Sequence, residues 1–461
     1  MVRWTTIGLW LGISAAIAGC GDDDTDPMVD SGMDEDSGTG VDAGQDAGTR
    51  PDSGMRDAGV ACTSGCAIEE IVTGVDHVCG RRENGEVLCW GGNGVGQLGD
   101  GRERGHDDCS TRGVDDAAGY DCSATPVVVS GVTATSLASN AALQTCAITE
   151  EGSVCWGFED VAASGSDTRR ERFTAELLEE FSPAAELQAS RNQLCARLTD
   201  GTAVCRGENE SGELLQEGDD PRRMAVALPG LSGLVELDYG VGANFACGRT
   251  ATTLSCWGNN QDGQLGDGIT DHGTTCGVAP ETYDCSREPV EVSGLDAADV
   301  VQVDLGSRFA CALLSDGTVW CWGANAAGQL GSGTTEAVSA PQQVPGLTGV
   351  SQIALGSLTA CALLSSGEVR CWGSNEEGQV GDGEDIGSHD SCDIGTTVDC
   401  LLTPTAVALP EEATAVSMGI QTGCAVGESG AVFCWGSNFR MQLGQRDRER
   451  RATPVAIEGL D

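Results

Sequence analysis

Cys79 to Gly101 reads CGRRENGEVLCWGGNGVGQLGDG, and the architecture follows from this unit. Its two cysteines flank Asn84-Gly85, a turn former followed by the residue that takes a left-handed backbone without strain. A three-residue loop with Gly in that place sets Cys79 opposite Cys89 on antiparallel strands, close to the separation a disulfide spans. The unit recurs, with losses, as Cys79 with Cys89, Cys146 with Cys155, Cys195 with Cys205, Cys247 with Cys256, Cys311 with Cys321, Cys361 with Cys371 and Cys424 with Cys434. Four more hairpins repeat the turn former before Gly: Asp200-Gly201, Asp316-Gly317, Ser366-Gly367 and Ser429-Gly430.

The second cysteines are separated by 66, 50, 51, 65, 50 and 63 residues, so the base period is near 50. The three long intervals each carry an insertion with its own pair: Cys109 with Cys122, Cys276 with Cys285 and Cys392 with Cys400. Adding Cys62 with Cys66 makes near-neighbour pairs of every cysteine except Cys20, although spacing alone leaves connectivity open. Upstream of the hairpins lies a β-type run, as in Val301-Gln302-Val303, and before that a Pro-Val segment, as in Pro289-Val290-Glu291-Val292. About four strands per unit, repeated around an axis, predict an all-β, seven-bladed propeller with disulfide-stapled hairpins. The chain ends on Pro454-Val455-Ala456-Ile457, a strand with no hairpin after it. That strand is expected to complete the first blade and close the ring.

Trp257–Gly268 reads WGNNQDGQLGDG, Trp322–Gly333 WGANAAGQLGSG and Trp372–Gly383 WGSNEEGQVGDG. This resembles the regulator-of-chromosome-condensation repeat family, whose members form seven-bladed propellers, and the resemblance covers roughly residues 63 to 461. The family's eukaryotic founder is a nucleotide-exchange factor that binds chromatin, and no residue here carries that role over. Bacterial secreted members include β-lactamase-binding propellers, a likeness of architecture alone. The second repeat departs after Cys155-Trp156-Gly157, the third has Arg206 in place of Trp, and the seventh substitutes Phe439-Arg440-Met441.

Residues 1–19 carry Arg3 and then a short apolar run, which predicts a secretory signal rather than a spanning helix. Ile17-Ala18-Gly19-Cys20 resembles the lipobox of bacterial lipoproteins, which implies acylation of Cys20. Residues 20–60 are Asp-, Gly-, Ser- and Ala-rich without an aromatic and read as a disordered acidic tether, leaving 61–461 for the propeller. Export to the bacterial cell envelope follows, with the outer membrane or cell surface favoured over the inner membrane. Abundant cysteine at hairpin rather than knuckle spacing agrees with an oxidising compartment. The formal charge is -46, and all 25 basic residues are Arg. Such a field repels nucleic acid, and the absence of Lys excludes Schiff-base chemistry.

Catalytic patterns are sparse. The four histidines, His77, His106, His272 and His389, form no metalloprotease motif, and no cofactor or metal is expected. The last three could build a metal site only if the insertions met above one face. The repeated Trp residues are expected to pack between blades rather than stack sugars, and the motif Asn and Gln to satisfy turn backbone. In the second repeat, Thr168–Phe181 reads TRRERFTAELLEEF and spaces Phe173, Leu177, Leu178 and Phe181 as one helical face. Arg169, Arg170, Phe173 and Leu177 are the candidate binding residues of that helix. The cluster Arg446, Arg448, Arg450 and Arg451 is expected to neutralise nearby acids. A non-catalytic scaffold follows, expected as a monomer that binds a protein or envelope component and meets the membrane through its lipid. The rivals are a polysaccharide-acting enzyme, which would need paired carboxylates converging at the ring mouth, and an inhibitor of a secreted enzyme.

Overall fold

A computed structural model describes residues 67–109, 120–139, 143–160, 169–190, 193–242, 244–277 and 282–460. The expected signal, the lipid-attachment residue Cys20, the tether, and the pair of Cys62 and Cys66 lie outside the described residues. The first sheet contains β1 (Ile68–Thr73), β2 (His77–Arg82), β3 (Glu86–Gly92), the short β4 (Asp107–Asp108), β5 (Asp121–Ala138), β6 (Gln144–Thr149), β7 (Gly152–Asp160) and β8 (Arg169–Leu177). The second is β9 (Ala184–Ala189), β10 (Gln193–Leu198), β11 (Ala203–Gly207) and β12 (Arg222–Ala227). The third is β13 (Glu236–Tyr239), β14 (Phe245–Arg249), β15 (Leu254–Asn259), β16 (Thr275–Cys276) and β17 (Tyr283–Glu291). The fourth is β18 (Val300–Leu305), β19 (Phe309–Leu314), β20 (Val319–Gly323) and β21 (Val338–Gln343). The fifth is β22 (Val350–Leu355), β23 (Thr359–Leu364), β24 (Val369–Ser374), β25 (Asp390–Asp393) and β26 (Thr397–Ala406), and the sixth β27 (Ala413–Met418), β28 (Thr422–Gly427), β29 (Val432–Gly436) and β30 (Arg451–Ala456).

The chain is an all-β propeller, but hydrogen bonding does not divide it into seven separate blades. Five sheets of four or five strands are blade-sized, and the first holds eight. The cause is β5, which runs unbroken for 18 residues, pairs with β3 through Gly92↔Cys122 to Glu86↔Thr133, and then pairs with β6 from Ala134↔Thr149. Where Val344–Val350 turns at Pro345, Gly346 and Gly349, the matching connection Val129–Ala134 has only Gly131. With fewer turn formers the strand continues from one hairpin's outer edge to the next hairpin's inner edge. A central channel is walled by β9, β13, β18, β22 and β27 from the five smaller sheets and by β1 and the end of β5 from the large one.

Closure is also corrected. β30 pairs with β29 through Cys434↔Val455 and completes the last sheet rather than the first. The Pro-Val segments belong to the hairpin before them, as Cys256↔Val290 shows in the third sheet, so no strand is left over to exchange. The ends meet by packing instead. Ile68, Ile71, Val78 and Trp90 share a core with Val426, Val432, Leu443 and Ile457, and Trp90 Nε1–H donates to Gln442 O at 3.0 Å.

That tryptophan bond repeats between neighbours. Trp156, Trp257, Trp322, Trp372 and Trp435 donate to the carbonyls of Gln97, Glu213, Gln264, Gln329 and Gln379 at 2.8–3.0 Å, and all six indoles are buried. The following motif Gly lies against the indole: a Cβ added at Gly266, whose φ is +76°, would stand 2.5 Å from Trp322 Nε1. The motif Asn and Gln hold the turn, as Leu265 N–H donating to Asn260 Oδ1 and Asp262 N–H to Gln264 Oε1 illustrate.

Among the described residues, ten cysteine pairs lie at disulfide distance. Seven staple the hairpins, Cys79 with Cys89, Cys146 with Cys155, Cys195 with Cys205, Cys247 with Cys256, Cys311 with Cys321, Cys361 with Cys371 and Cys424 with Cys434, at Cα separations of 4.0–4.1 Å. The insertion pairs are wider: Cys109 and Cys122, Cys276 and Cys285, and Cys392 and Cys400 each stand 5.9 Å apart at Cα. The difference follows from position. Hairpin cysteines sit directly opposite each other, as in Cys79↔Cys89, whereas Cys276 faces Tyr283 and Cys392 faces Val398, so Cys285 and Cys400 are reached diagonally.

The expected helix does not form. Arg169–Leu177 is β8, paired with β7 from Asp160↔Arg169 to Val154↔Leu177, and only Glu179–Phe181 makes a short 3-10 turn. The hairpin of Cys146 and Cys155 needs an outer strand, and this segment is the one available, so sheet pairing overrides a local helical spacing.

Candidate interaction surface

Each insertion is fastened twice. Beside its disulfide, a histidine sits between two aspartates. His106 Nδ1 lies 2.6 Å from Asp121 Oδ2 and Nε2 2.9 Å from Asp100 Oδ2. His272 stands 2.8 Å from Asp284 and 2.9 Å from Asp267, and His389 2.9 Å from Asp399 and 2.8 Å from Asp382. In each clamp the backbone N–H of the His donates to the first carboxylate as well. Since a carboxylate only accepts, both ring nitrogens must donate, and the ring is an imidazolium. Burial alone would depress these histidines; the paired aspartates outweigh it and hold all three above the usual value. Asp284 and Asp399 are held low by the same contacts, against burial that would raise them.

Each histidine is thus held within its own insertion, and the structure does not bring the three together. The aspartates were legible. One is the Asp of G-D-G, at positions 100, 267 and 382, and the other immediately precedes the second insertion cysteine, Cys122, Cys285 or Cys400, at 121, 284 and 399. The fourth sheet has neither insertion nor histidine, and its motif reads G-S-G at Gly331-Ser332-Gly333. His77 lies elsewhere, buried with Nε2 2.7 Å from Thr145 Oγ1.

Two arginines of the last connection, Arg446 and Arg448, brace the first insertion. Arg446 pairs with Asp107 at 2.7 Å, Arg448 donates to Cys109 O, and Arg450 and Arg451 reach Glu377 and Asp447. Arg440 lies 3.7 Å over the Tyr120 ring, and Tyr120 O–H donates to Asp76.

In the second and third repeats two departures compensate each other. Arg206 stands where the other repeats carry the indole, and the preceding repeat has lost the Gln of the motif. Its guanidinium meets Glu159 and Glu180 and covers the Phe181 ring at 5.0 Å, while Arg172 bonds Glu159 at 2.7 Å. Of the candidate binding residues, Arg170 is exposed, Phe173 half-buried and Leu177 48% exposed, and Arg169 begins the strand. They lie along one edge strand rather than on a helix face.

The channel holds about 260 Å³ and carries carboxylates from three adjacent strands: Glu186, Glu236, Asp238 and Asp304. Glu186 and Glu236 pair with Arg197 and Arg249 and accept the N–H groups of Leu237 and Val303 on the next strand. Asp304 accepts from Leu305 and Leu355, and Asp238 Oδ1 from Tyr239, leaving Asp238 Oδ2 buried without a donor. Burial raises both, Asp304 to about 7, and the neighbouring carboxylates push Asp238 well up. Sequence could not single these out among 71 acidic residues.

The family described as "Regulator of chromosome condensation (RCC1) repeat" matches residues 254–313, 316–363 and 429–461, and a second form of it 68–97, 300–329, 350–379 and 413–442. The chain carries regulator-of-chromosome-condensation repeats. Human E3 ubiquitin-protein ligase HERC2 is 28% identical over 288 residues, 60% of this chain and 5% of the ligase. The Ultraviolet-B receptor UVR8 of Arabidopsis thaliana is 28% identical over 267 residues, 57% of this chain and 56% of the receptor. Both alignments leave much of those relatives uncovered. Yeast RCC1 (Prp20), solved bound to Kap60, superposes with a TM-score of 0.64 at 21% identity over 85% of each chain. Human WBSCR16 gives 0.63 at 19% identity, over 81% of this chain and 93% of that one. At these identities the structural likeness speaks for the fold.

Proposed function

We propose that this chain is an exported, lipid-anchored scaffold of a bacterial envelope that docks a protein or envelope component on the end of the propeller bearing the three insertions. One observation carries the reading. All three insertions occupy the connection between third and fourth strands of their sheets, which places them at the same end of the channel. Each is disulfide-bonded and clamped by an Asp-His-Asp set, more bracing than a solvent loop requires. Family relatives supply precedent: the solved structures include yeast RCC1 bound to Kap60, and Prp20p with binding properties toward Gsp1p and histones. Docking rather than catalysis suits a rim built from backbone-bracing groups. Anchoring at Cys20 would keep this end at the envelope surface, with disulfides limiting local opening to proteases.

The test is capture from solubilised envelope by the full chain, against a variant whose three insertions are each replaced by the short connection of the fourth sheet. A partner lost with the insertions, while the variant keeps its circular dichroism and melting behaviour, supports the reading. Equal capture by both overturns it. Labelling with an alkyne fatty acid checks the anchor: Cys20→Ser should abolish the label and release the protein from membranes.

The channel carboxylates favour a second reading, a polysaccharide-acting enzyme, because Asp238 and Asp304 are paired and raised. Both oxygens of Asp304 and Oδ1 of Asp238 accept from the wall's own amides, which fits a structural seam better. Asp304→Asn leaving glycan cleavage unchanged would confirm the seam.

A further inference from the structure

At one level of the channel each inner strand contributes its next-to-last residue, and two neighbours differ from the rest. Val72, Gln188, Ala354 and Ser417 occupy the place in β1, β9, β22 and β27, whereas β13 has Asp238 and β18 has Asp304. The first and third strands of a sheet run the same way, so this level lies toward the end of the channel that bears the insertions.

The two carboxylates are not placed alike. Asp304 Oδ1 accepts the N–H of Leu305 at 2.8 Å, and its Oδ2 accepts that of Leu355 on the next strand at 3.0 Å. Asp238 Oδ1 likewise accepts the N–H of the residue after it, Tyr239, at 2.9 Å. The next-strand amide that its second oxygen would use is Leu305, which Asp304 already holds. The Asp238 carboxyl instead comes within hydrogen-bond reach of the Asp304 carboxyl, and its Oδ2 is buried with no donor from any described residue.

No cation answers the pair. On the strands packed around it the charged groups are Glu186 on β9, Arg197 on β10, Glu236 on β13 and Arg249 on β14, while β19 and β22 carry none. Each arginine is taken by a glutamate at 2.8 Å, Arg197 by Glu186 and Arg249 by Glu236. Two ionised carboxylates in contact without a cation repel, and the stable arrangement is the one in which they share a proton. The protonated oxygen then also becomes the missing donor, since only the acid form carries an O–H.

We infer that Asp238 and Asp304 hold one proton between them, Asp238 Oδ2–H donating to Asp304, and that this proton is a pH-operated latch joining the inner strands of the third and fourth sheets. With the proton in place, the chain of bonds runs from Asp238 through Asp304 to Leu355 and so ties three successive sheets. With it lost, the carboxylates repel, β13 and β18 part, and water enters the channel wall. Burial raises Asp304 to about 7, and burial together with the neighbouring carboxylates raises Asp238. Because the folded values lie above the unfolded ones, the latch's contribution is fully present below the ordinary aspartate value and is lost as pH rises through the folded one, as a single coupled titration. The latch needs no docked partner and goes beyond the docking reading.

The test uses the full chain with isotope-labelled aspartate carboxyls, so that infrared bands of aspartate are separated from those of glutamate. Near pH 6 the parent should show the stretch of a protonated aspartate carboxyl, which fades as the solution is brought to about pH 9 and is absent from Asp238→Asn. Amide exchange gives a second reading, because the Nδ2 of Asp238→Asn donates to Asp304 at every pH. Protection of the Leu355 amide should fall roughly tenfold or more across that range in the parent and stay level in Asp238→Asn. A parent without the protonated band near pH 6 overturns the proposal, and that measurement needs no variant to fold. So does a band that survives in Asp238→Asn. Leu355 protection that follows added sodium or calcium instead of pH also overturns it, and would name a metal cation as the bridge.

Discussion

Glu213 stands where five sister repeats place glutamine, and it shows what one oxygen for nitrogen does in a dry turn. Its carboxylate accepts from Ser211 N–H at 2.7 Å and from Gln193 at 3.2 Å, and burial lifts it to about 8. The folded value lies above the unfolded one, so the cost of burying this acid appears as pH rises past the ordinary glutamate value and levels off above about 8. Glu213→Gln should therefore match the parent near pH 4 and exceed it in stability by about 1–3 kcal/mol at pH 8. Urea unfolding at the two pH values checks this, and a constant difference would count against it. Arg206 gives a related lesson. The sequence marked it as a loss of Trp, and the structure gives it carboxylate partners in the preceding repeat, Glu159 and Glu180.

Among the elements, the insertions carry a pH dependence of their own. Their histidines are raised, so the clamp's contribution is fully present below the ordinary histidine value and is lost as pH rises through the higher folded one. At the acid end Asp284 and Asp399, held low, lose their contribution as pH falls through their depressed values. Proteolytic nicking within the insertions should accordingly be slowest near pH 5 to 6 and accelerate toward pH 9, while the global melting temperature moves little. His272→Ala should remove the pH dependence in its own insertion and leave the other two clamps intact. Mass mapping of early cleavage sites distinguishes the three. β8 teaches the converse at this level. Its helical spacing was real, but an outer strand beside β7 satisfies a full ladder of backbone groups that a surface helix would have left unpaired.

For the molecule as a whole, the seam between first and last repeats carries closure. It is built from Trp90 donating to Gln442 O, the Thr73 and Ser417 hydroxyls 2.9 Å apart, and Arg82 donating to Leu460 O at 3.0 Å. Trp90→Ala should cost about 3–5 kcal/mol, as for other buried indoles, and unfolding should remain one transition because each sheet leans on two neighbours. A second transition at low urea would mean that the seam is not part of the cooperative unit. The sequence by itself determined the hairpin unit, its near-50 period, the opposed cysteines and the family, since these depend on turn residues and spacing carried within about twenty residues. It also held the pattern of clamp aspartates. Only the tertiary structure decided which hairpin each Pro-Val strand serves, that β5 fuses two strand sets into one sheet, and that Thr168–Phe181 yields to pairing. These depend on which backbone groups find partners across long separations, and a local pattern does not record its partner.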